Sequence, residues 1–281
     1  MIKETGLVYP DGSVKSKEEI QRDNAETAVK AGVEITRNII YPNQEEYDLS
    51  GRIGNPFKFG IISDTHLASK QERLHELDEM YEKFKQEGID TVFHCGDIVD
   101  GYGVYRGQEF EVKVAGQDEQ IDYAVAQYPK VEGIDTYFIT GNHCLRQYER
   151  GGVDPGKPIN QRRPDLKYLG QMKAKVRMAD DTTMELLHPD GAVAYALSYK
   201  AQRAINNLTA DNVPDIMAWG HYHTSFYMNY RDINFLQVPC FKGQGLWEAR
   251  KGLNPTIGGW IVEGKIDDGT VTEFNPTLFK Y

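Results

Sequence analysis

Five short blocks of the 281-residue chain hold the residues best suited to chemistry: Asp64-Thr65-His66, Gly96-Asp97, Gly141-Asn142-His143, His188 and Gly220-His221-Tyr222-His223. Five of the seven histidines fall in them, together with two aspartates and an asparagine. Two divalent ions held close together need a carboxylate that bridges them, neutral imidazoles and oxygen donors around them, and positions open for water and substrate. The aspartates, histidines and asparagine of these blocks are therefore candidate metal ligands, with Asp97 as the natural bridge. Gly96 lets the backbone turn tightly beside it. In His221-Tyr222-His223 the imidazoles are two residues apart, so an extended segment presents both on one face, whereas a helix would splay them.

These blocks need elements that bring them to one place. Phe59-Gly60-Ile61-Ile62-Ser63 reads as a buried strand, and Leu74, Leu77, Tyr81 and Phe84 recur at helical spacing up to Gly88. Thr91–Cys95 is the next strand candidate. After a polar insertion over 99–128, a helix around Ala124 leads to a strand over 134–140. Strand-helix-strand-helix-strand with short junctions predicts right-handed crossovers and a largely parallel sheet. Further strands near 183–188, 215–219, 225–230 and 233–239 have hairpin spacing. The expected fold is α/β, two packed mixed β-sheets flanked by helices in a four-layer α-β-β-α sandwich. Each block then follows the C-terminal end of an apolar strand, where open α/β sheets bind ligands.

Residues 1–55 stand apart from this pattern. Ser16-Lys17-Glu18-Glu19 is a capping-box pattern, and the stretch to Gly32 reads as a helix, so a small helical appendage precedes a catalytic domain over 56–281. With seven Lys/Arg against ten Asp/Glu, the appendage is either a packing arm or a nucleic-acid-targeting module.

A hydrophobic fraction of 40% and a charged fraction of 26% are those of an ordinary globular chain. No apolar run is long enough to cross a bilayer. The first residues lack the basic start and apolar stretch of a secretory signal. Cys95, Cys144 and Cys240 form neither a paired framework nor a CxxC motif, which favours reduced thiols and a cytoplasmic protein. The formal charge of −10 argues against a broad basic surface for nucleic acid. It allows a local positive site: two divalent ions against two aspartates leave about +2.

The five blocks, in this order, resemble the calcineurin-like metallophosphoesterase superfamily, over roughly residues 57–263. The resemblance implies Asp64, His66, Asp97 and His223 on one metal and Asp97, Asn142, His188 and His221 on the other. It implies that His143 is the catalytic imidazole beside the leaving group, and that metal-activated water attacks phosphorus in line. The two divalent ions are expected to be manganese, with iron or zinc as alternatives. The family's residue after that histidine is usually acidic, whereas here it is Cys144.

Other features carry alternatives. His75 and His94 read as structural. Cys144 adjoins His143 but is not needed as a nucleophile. Arg162 and Arg163 either grip a substrate phosphate or lie in a solvated loop. Tyr102, Tyr105, Tyr222 and Phe226 either stack on bases or pack the rim, and Tyr102 and Tyr222 are the tentative substrate contacts. The segments 99–128 and 144–175 are expected to shape the pocket. The expected partner is a phosphate-ester substrate, DNA or RNA in a repair-type nuclease, and not a membrane. A phosphodiesterase of small or cyclic nucleotides, a phosphomonoesterase and a non-catalytic scaffold are the alternatives.

Overall fold

The computed structural model describes residues 46–281 apart from 147, 151 and 210–212, and the backbone of Val33–Thr36 and Ile39–Pro42. The chain divides into two compact units, Met1–Glu45 and Glu46–Tyr281. In the first, β1 (Val33–Thr36) and β2 (Ile39–Pro42) pair antiparallel. The helix expected after Ser16 lies outside the described residues.

The larger unit contains two six-stranded sheets. Its strands are β3 (Tyr47–Asp48), β4 (Phe57–Ile62), β5 (Thr91–His94), β6 (Asp135–Thr140), β7 (Leu166–Gln171), β8 (Lys173–Ala179), β9 (Thr182–Leu187), β10 (Ile216–Trp219), β11 (Phe226–Tyr230), β12 (Ile233–Gln237), β13 (Gly258–Asp267) and β14 (Thr270–Lys280). One sheet runs β14-β13-β4-β5-β6-β7, the other β11-β12-β10-β9-β8-β3. Neighbours from β4 to β7 are parallel, as the alternation of strands and helices predicts. In the second sheet the hairpin expectation holds for β11 and β12. It fails for β10, which lies parallel to both β9 and β12. Residues 46–55, assigned above to the appendage, belong to this unit, because Tyr47 and Asp48 pair with Val176 and Arg177 of β8. The β13–β14 hairpin was not anticipated.

The helices are α1 (Leu74–Gln86), α2 (Gln117–Gln127), α3 (Asn142–Leu145), α4 (Gly156–Arg162), α5 (Leu197–Asn206) and α6 (Leu246–Arg250). Leu77, Met80, Tyr81 and Phe84 form the buried stripe of α1, one face of a 3.6-residue period. They join Ile62, Val92, Ile121, Ala124 and Phe138 in a core between the first sheet and its helices. A smaller core, with Ala201 and Ile205 of α5 against Met217, Trp219 and Phe235, covers the outer face of the second sheet. Between the sheets lies the largest apolar cluster, where Phe57, Phe59, Ile61 and Phe93 meet Met184, Leu186, Ala218 and Leu236. Helices, sheet, sheet and helix thus make the four expected layers. Both faces of β4 and β5 are buried, which is why they read as apolar runs rather than alternating patterns. Cys95, Cys144 and Cys240 are free and buried. No helix among the described residues is long and apolar enough to cross a membrane.

The rings of Phe57, Phe59 and Phe93 pack at centroid distances of 5.5 and 5.3 Å about Phe59. Phe93→Ala should lower the unfolding free energy by about 3–5 kcal/mol in a denaturant titration. Tyr195→Ala, at a fully exposed side chain, should change it by less than about 0.5 kcal/mol.

Candidate dinuclear metal centre

Each block sits just beyond the C-terminal end of a strand: Asp64 and His66 after β4, Asp97 after β5, Asn142 and His143 after β6, His188 after β9, His221 and His223 after β10. The loops are zipped together past the strand ends, with the amides of Asp64, His66 and Leu67 donating to the carbonyls of Gly96, Asp97 and Ile98 at 2.9–3.0 Å. Asp64, His66, Asp97, His221 and His223 all adopt left-handed φ, between 43° and 75°. That conformation costs a non-glycine residue on the order of 1 kcal/mol or more, and it turns the chain sharply so that the side chain swings onto the rim. His221 and His223 therefore reach a common place through two left-handed turns, not through the extended segment expected from their spacing. Where a side chain would be in the way the residue is glycine. A Cβ on Gly96 would run into the His188 ring, and one on Gly141 into Asp97 Oδ1 and the same ring.

The hydrogen bonds define which atoms face inward. Asp64 Oδ2 accepts from the Ser63 hydroxyl at 2.5 Å and the His221 amide at 2.9 Å. Its Oδ1 faces His223 Nε2 at 3.1 Å and His66 Nε2 at 3.6 Å. Asp97 Oδ1 accepts from the amides of His143 and Cys144, at 2.9 and 3.3 Å. Its Oδ2 lies 3.0 Å from His188 Nε2 and 3.9 Å from His66 Nε2. The proton on His188 Nδ1 goes to the Cys95 carbonyl (2.8 Å), that on His66 Nδ1 to Asp100 Oδ1 (3.0 Å), and that on His221 Nε2 to the Gly191 carbonyl (3.0 Å). When the rings of His66 and His188 are neutral, each therefore turns the lone pair of Nε2 toward the rim. His66 Nε2 faces His223 Nε2 at 3.1 Å, and His188 Nε2 faces Asn142 Oδ1 at 3.1 Å.

Three donor clusters result: Asp64, His66 and His223; Asp97, His188 and His221; and His66, Asp100 and His143, the donor atoms of each lying within 4.8 Å of one another. Two ligands at about 2.1 Å from one ion, at octahedral or tetrahedral angles, stand about 3.0–3.4 Å apart. The spacings of 3.0 and 3.1 Å fit that requirement, and the 3.6 Å between Asp64 Oδ1 and His66 Nε2 lies just beyond it. Burial opposes ionisation of Asp64 and Asp97, yet the imidazoles, His188 foremost, hold both carboxyls below the usual range. Burial likewise opposes charge on His188, but Asp97 and Asp64 outweigh it and raise its pKa to about 9. The carboxylates thus draw positive charge to this place, as a ring proton or as a cation.

His143 is at the rim, its side chain 15% exposed. Its Nδ1 donates to the Asp100 carbonyl at 2.7 Å, and burial lowers its pKa to about 4. Asp100 is a residue that the sequence reading missed. It is fully buried, and Gln108 Nε2 donates to its carbonyl and its Oδ2 at 2.9 and 3.1 Å. Its position three residues after Asp97 was the available signal. Asp100 orients both His66 and His143, so the missing acidic residue at position 144 does not leave His143 unsupported. Cys144 itself is buried and burial pushes its thiol far up, which removes it as a thiolate nucleophile. His94 is structural: it accepts from the Gly96 amide and contacts the Thr65 hydroxyl, both at 3.2 Å, bracing one block against the next. His75 is exposed on α1 beside Glu79.

The tentative substrate contacts fare differently. Arg163 is buried and donates to the carbonyls of Val125, Tyr128 and Pro129, capping the end of α2, and to Asp165. It cannot reach substrate. Arg162 is exposed and paired with Asp122 of α2 at 2.5 Å. Tyr222 is buried, its ring 5.1 Å from His221 and 4.9 Å from Lys200 Nζ, so it has no free face for a base. Phe226 packs on Phe235 at 5.3 Å. Tyr102 is partly buried in the segment after Asp100.

Known proteins bear on this arrangement. The chain is similar to the DNA polymerase II small subunits of Thermoplasma acidophilum, 24% identical over 71% of this chain and 48% of that one, and of Methanocaldococcus jannaschii, 26% identical over 79% and 44%. It spans about half the length of the curated relatives it matches. Among solved structures, it resembles an archaeal phosphodiesterase with a TM-score of 0.47 at 16% identity, covering 79% of this chain and all of that one. It also resembles a Vps29 from Entamoeba histolytica complexed with zinc, with a TM-score of 0.38 at 12% identity, over 79% and 99%. Residues 57–239, well over half of the sequence, match the calcineurin-like phosphoesterase superfamily domain, and the chain belongs to that superfamily.

Proposed function

We propose that this chain is a metal-dependent phosphodiesterase that hydrolyses nucleic acid. In this reading Asp64, His66, Asp97 and His223 hold one divalent cation, and Asp97, Asn142, His188 and His221 hold the other. The observation that carries it is the convergence of buried acceptors at one rim, with the imidazole protons of His66, His188 and His221 directed away from it. Asp97 Oδ2 faces an imidazole of each set, which supports it as the bridge. Manganese suits these donors, as do iron and zinc.

Bound cations lower the pKa of an attacking water and screen the charge that builds on the phosphoryl oxygens. The chain's own residues position the reaction. Asp64 and Asp97 each keep one oxygen on fixed donors, so neither carboxylate can swing. Asp100 holds His66 and His143. With Nδ1–H of His143 tied to a carbonyl, Nε2 is the atom that passes a proton to the leaving oxygen. Burial keeps the ring neutral at neutral pH, and the negative charge of a bound phosphodiester raises it toward protonation.

The relatives are named as subunits of a DNA polymerase, which supports DNA as the substrate and a larger protein as a companion. The same naming favours one second reading, a metal-free interaction subunit. The unit Met1–Glu45 is proposed as a nucleic-acid-targeting module.

Metal analysis of the purified protein, with bis-p-nitrophenyl phosphate hydrolysis with and without added Mn²⁺, separates the two readings; absence of both metal and activity leaves only the second. Asp100→Asn should lower metal affinity or activity by about 10–100-fold through His66 and His143. His143→Ala should retain metal and slow hydrolysis by about 10²–10⁴-fold, most for poor leaving groups; an unchanged rate with an alkyl leaving group removes its acid role. Single-stranded DNA, duplex DNA, RNA, cyclic nucleotides and a monoester assayed side by side should rank the nucleic acids first. Deletion of residues 1–45 should weaken nucleic-acid binding and spare small-diester hydrolysis; unchanged binding refutes the targeting role.

A further inference from the structure

One line of rings leads from the candidate centre to solvent. The Tyr105 ring lies 6.3 Å from that of His143, and the Trp247 ring 5.8 Å from Tyr105. Tyr105 is partly buried and fixed by its hydroxyl, which donates to Glu111 Oε2 at 2.8 Å. Trp247 is 42% exposed and its neighbour Leu246 64% exposed. The helix that carries them is held firmly. Lys242 and Glu248, both buried, pair at 2.6 Å, and Glu248 Oε2 accepts from the Gly245 amide at 3.0 Å. Removing two charges from water opposes folding, and this buried pair fixes a helix of five residues that exposes Leu246, Trp247, Ala249 and Arg250.

We infer that Trp247 and Tyr105 form a stacking platform for an unpaired nucleobase beside His143, so that the strand is single where it is cut. The inference rests on the nucleic-acid reading above and deepens it. The surroundings are mixed in charge: Glu111 binds the Tyr105 hydroxyl, Glu248 is neutralised by Lys242, and the exposed Arg106 and Arg250 lie close in sequence to the two rings. Those arginines suit the phosphates of a strand, while the rings suit its bases, each of which offers a π-face irrespective of charge. In a duplex, both faces of each internal base are covered by its neighbours, so an unpaired base is the form that fits. Continuity of the rings with His143 ties the platform to the reacting phosphate.

Of the three tryptophans, Trp219 and Trp260 are buried and Trp247 is exposed, so intrinsic fluorescence reports on the platform. A phosphorothioate oligothymidylate, which resists cleavage, should quench the fluorescence of the full chain. An abasic strand of equal length should quench little and bind about 5–100-fold more weakly by anisotropy of a labelled strand. Trp247→Ala should bring oligothymidylate down to the affinity of the abasic strand, and Trp247→Phe should recover most of the difference. Equal affinity of the wild type for both strands, or a Trp247→Ala loss that is the same for both, overturns the platform and leaves the proposed function standing. Failure of the wild type to bind any strand overturns both.

Discussion

Buried oxygens and nitrogens that turn lone pairs toward one another repel unless positive charge lies between them, and the rim of this protein is organised around that constraint. Asp64 Oδ1 and Asp97 Oδ2 face imidazole nitrogens, and the amide oxygen of Asn142 faces His188. Each side chain is held from behind by a donor or acceptor that cannot follow it inward: the Ser63 hydroxyl, the amides of His143 and His221, and the carbonyls of Cys95 and Gly191. These outer contacts assign the proton of each ring and so decide which atom meets the centre.

The fold supplies the rigidity that this demands. Parallel strands of both sheets end at the same edge, and an apolar cluster between the sheets, built on Phe57, Phe59 and Phe93, keeps the two edges in register. The site residues then take left-handed turns that are intrinsically unfavourable, and the packed strands beneath them stabilise what the loops alone would not. The glycines at positions 96 and 141 leave room for the His188 ring. Stability stored between the sheets is thus used to hold strain and charge at the rim.

The departure from the family pattern at Cys144 is accommodated within this scheme. Asp100, three residues beyond Asp97, takes His66 on its carboxylate and His143 on its carbonyl. The insertion that follows brings Tyr105 alongside His143, and the buried pair of Lys242 and Glu248 sets α6 against Tyr105. The segments after β5 and β12, which differ in character from the strands they follow, therefore surround the side of the site that carries His143.

By itself, the sequence determined the strand-helix alternation and the positions of the donor residues, because buried parallel strands read as continuous apolar runs and each donor block follows one directly. It determined that β4 is a buried strand, that β5 follows it, and that Leu77, Tyr81 and Phe84 recur at the spacing of one face of α1. The tertiary structure decided what depends on neighbours distant in the chain. The direction of β10 could not be read from hairpin-like spacing, since spacing does not distinguish a return from a crossover. Arg163 looks like a phosphate ligand until the carbonyls at the end of α2 claim it, and Tyr222 like a stacking ring until His221 and Lys200 enclose it. Trp247 carries no local signature, and Asp100 only its place three residues after Asp97. Their roles come from residues dozens of positions away, because hydrogen-bond assignment and exposure are properties of the packed molecule rather than of the chain.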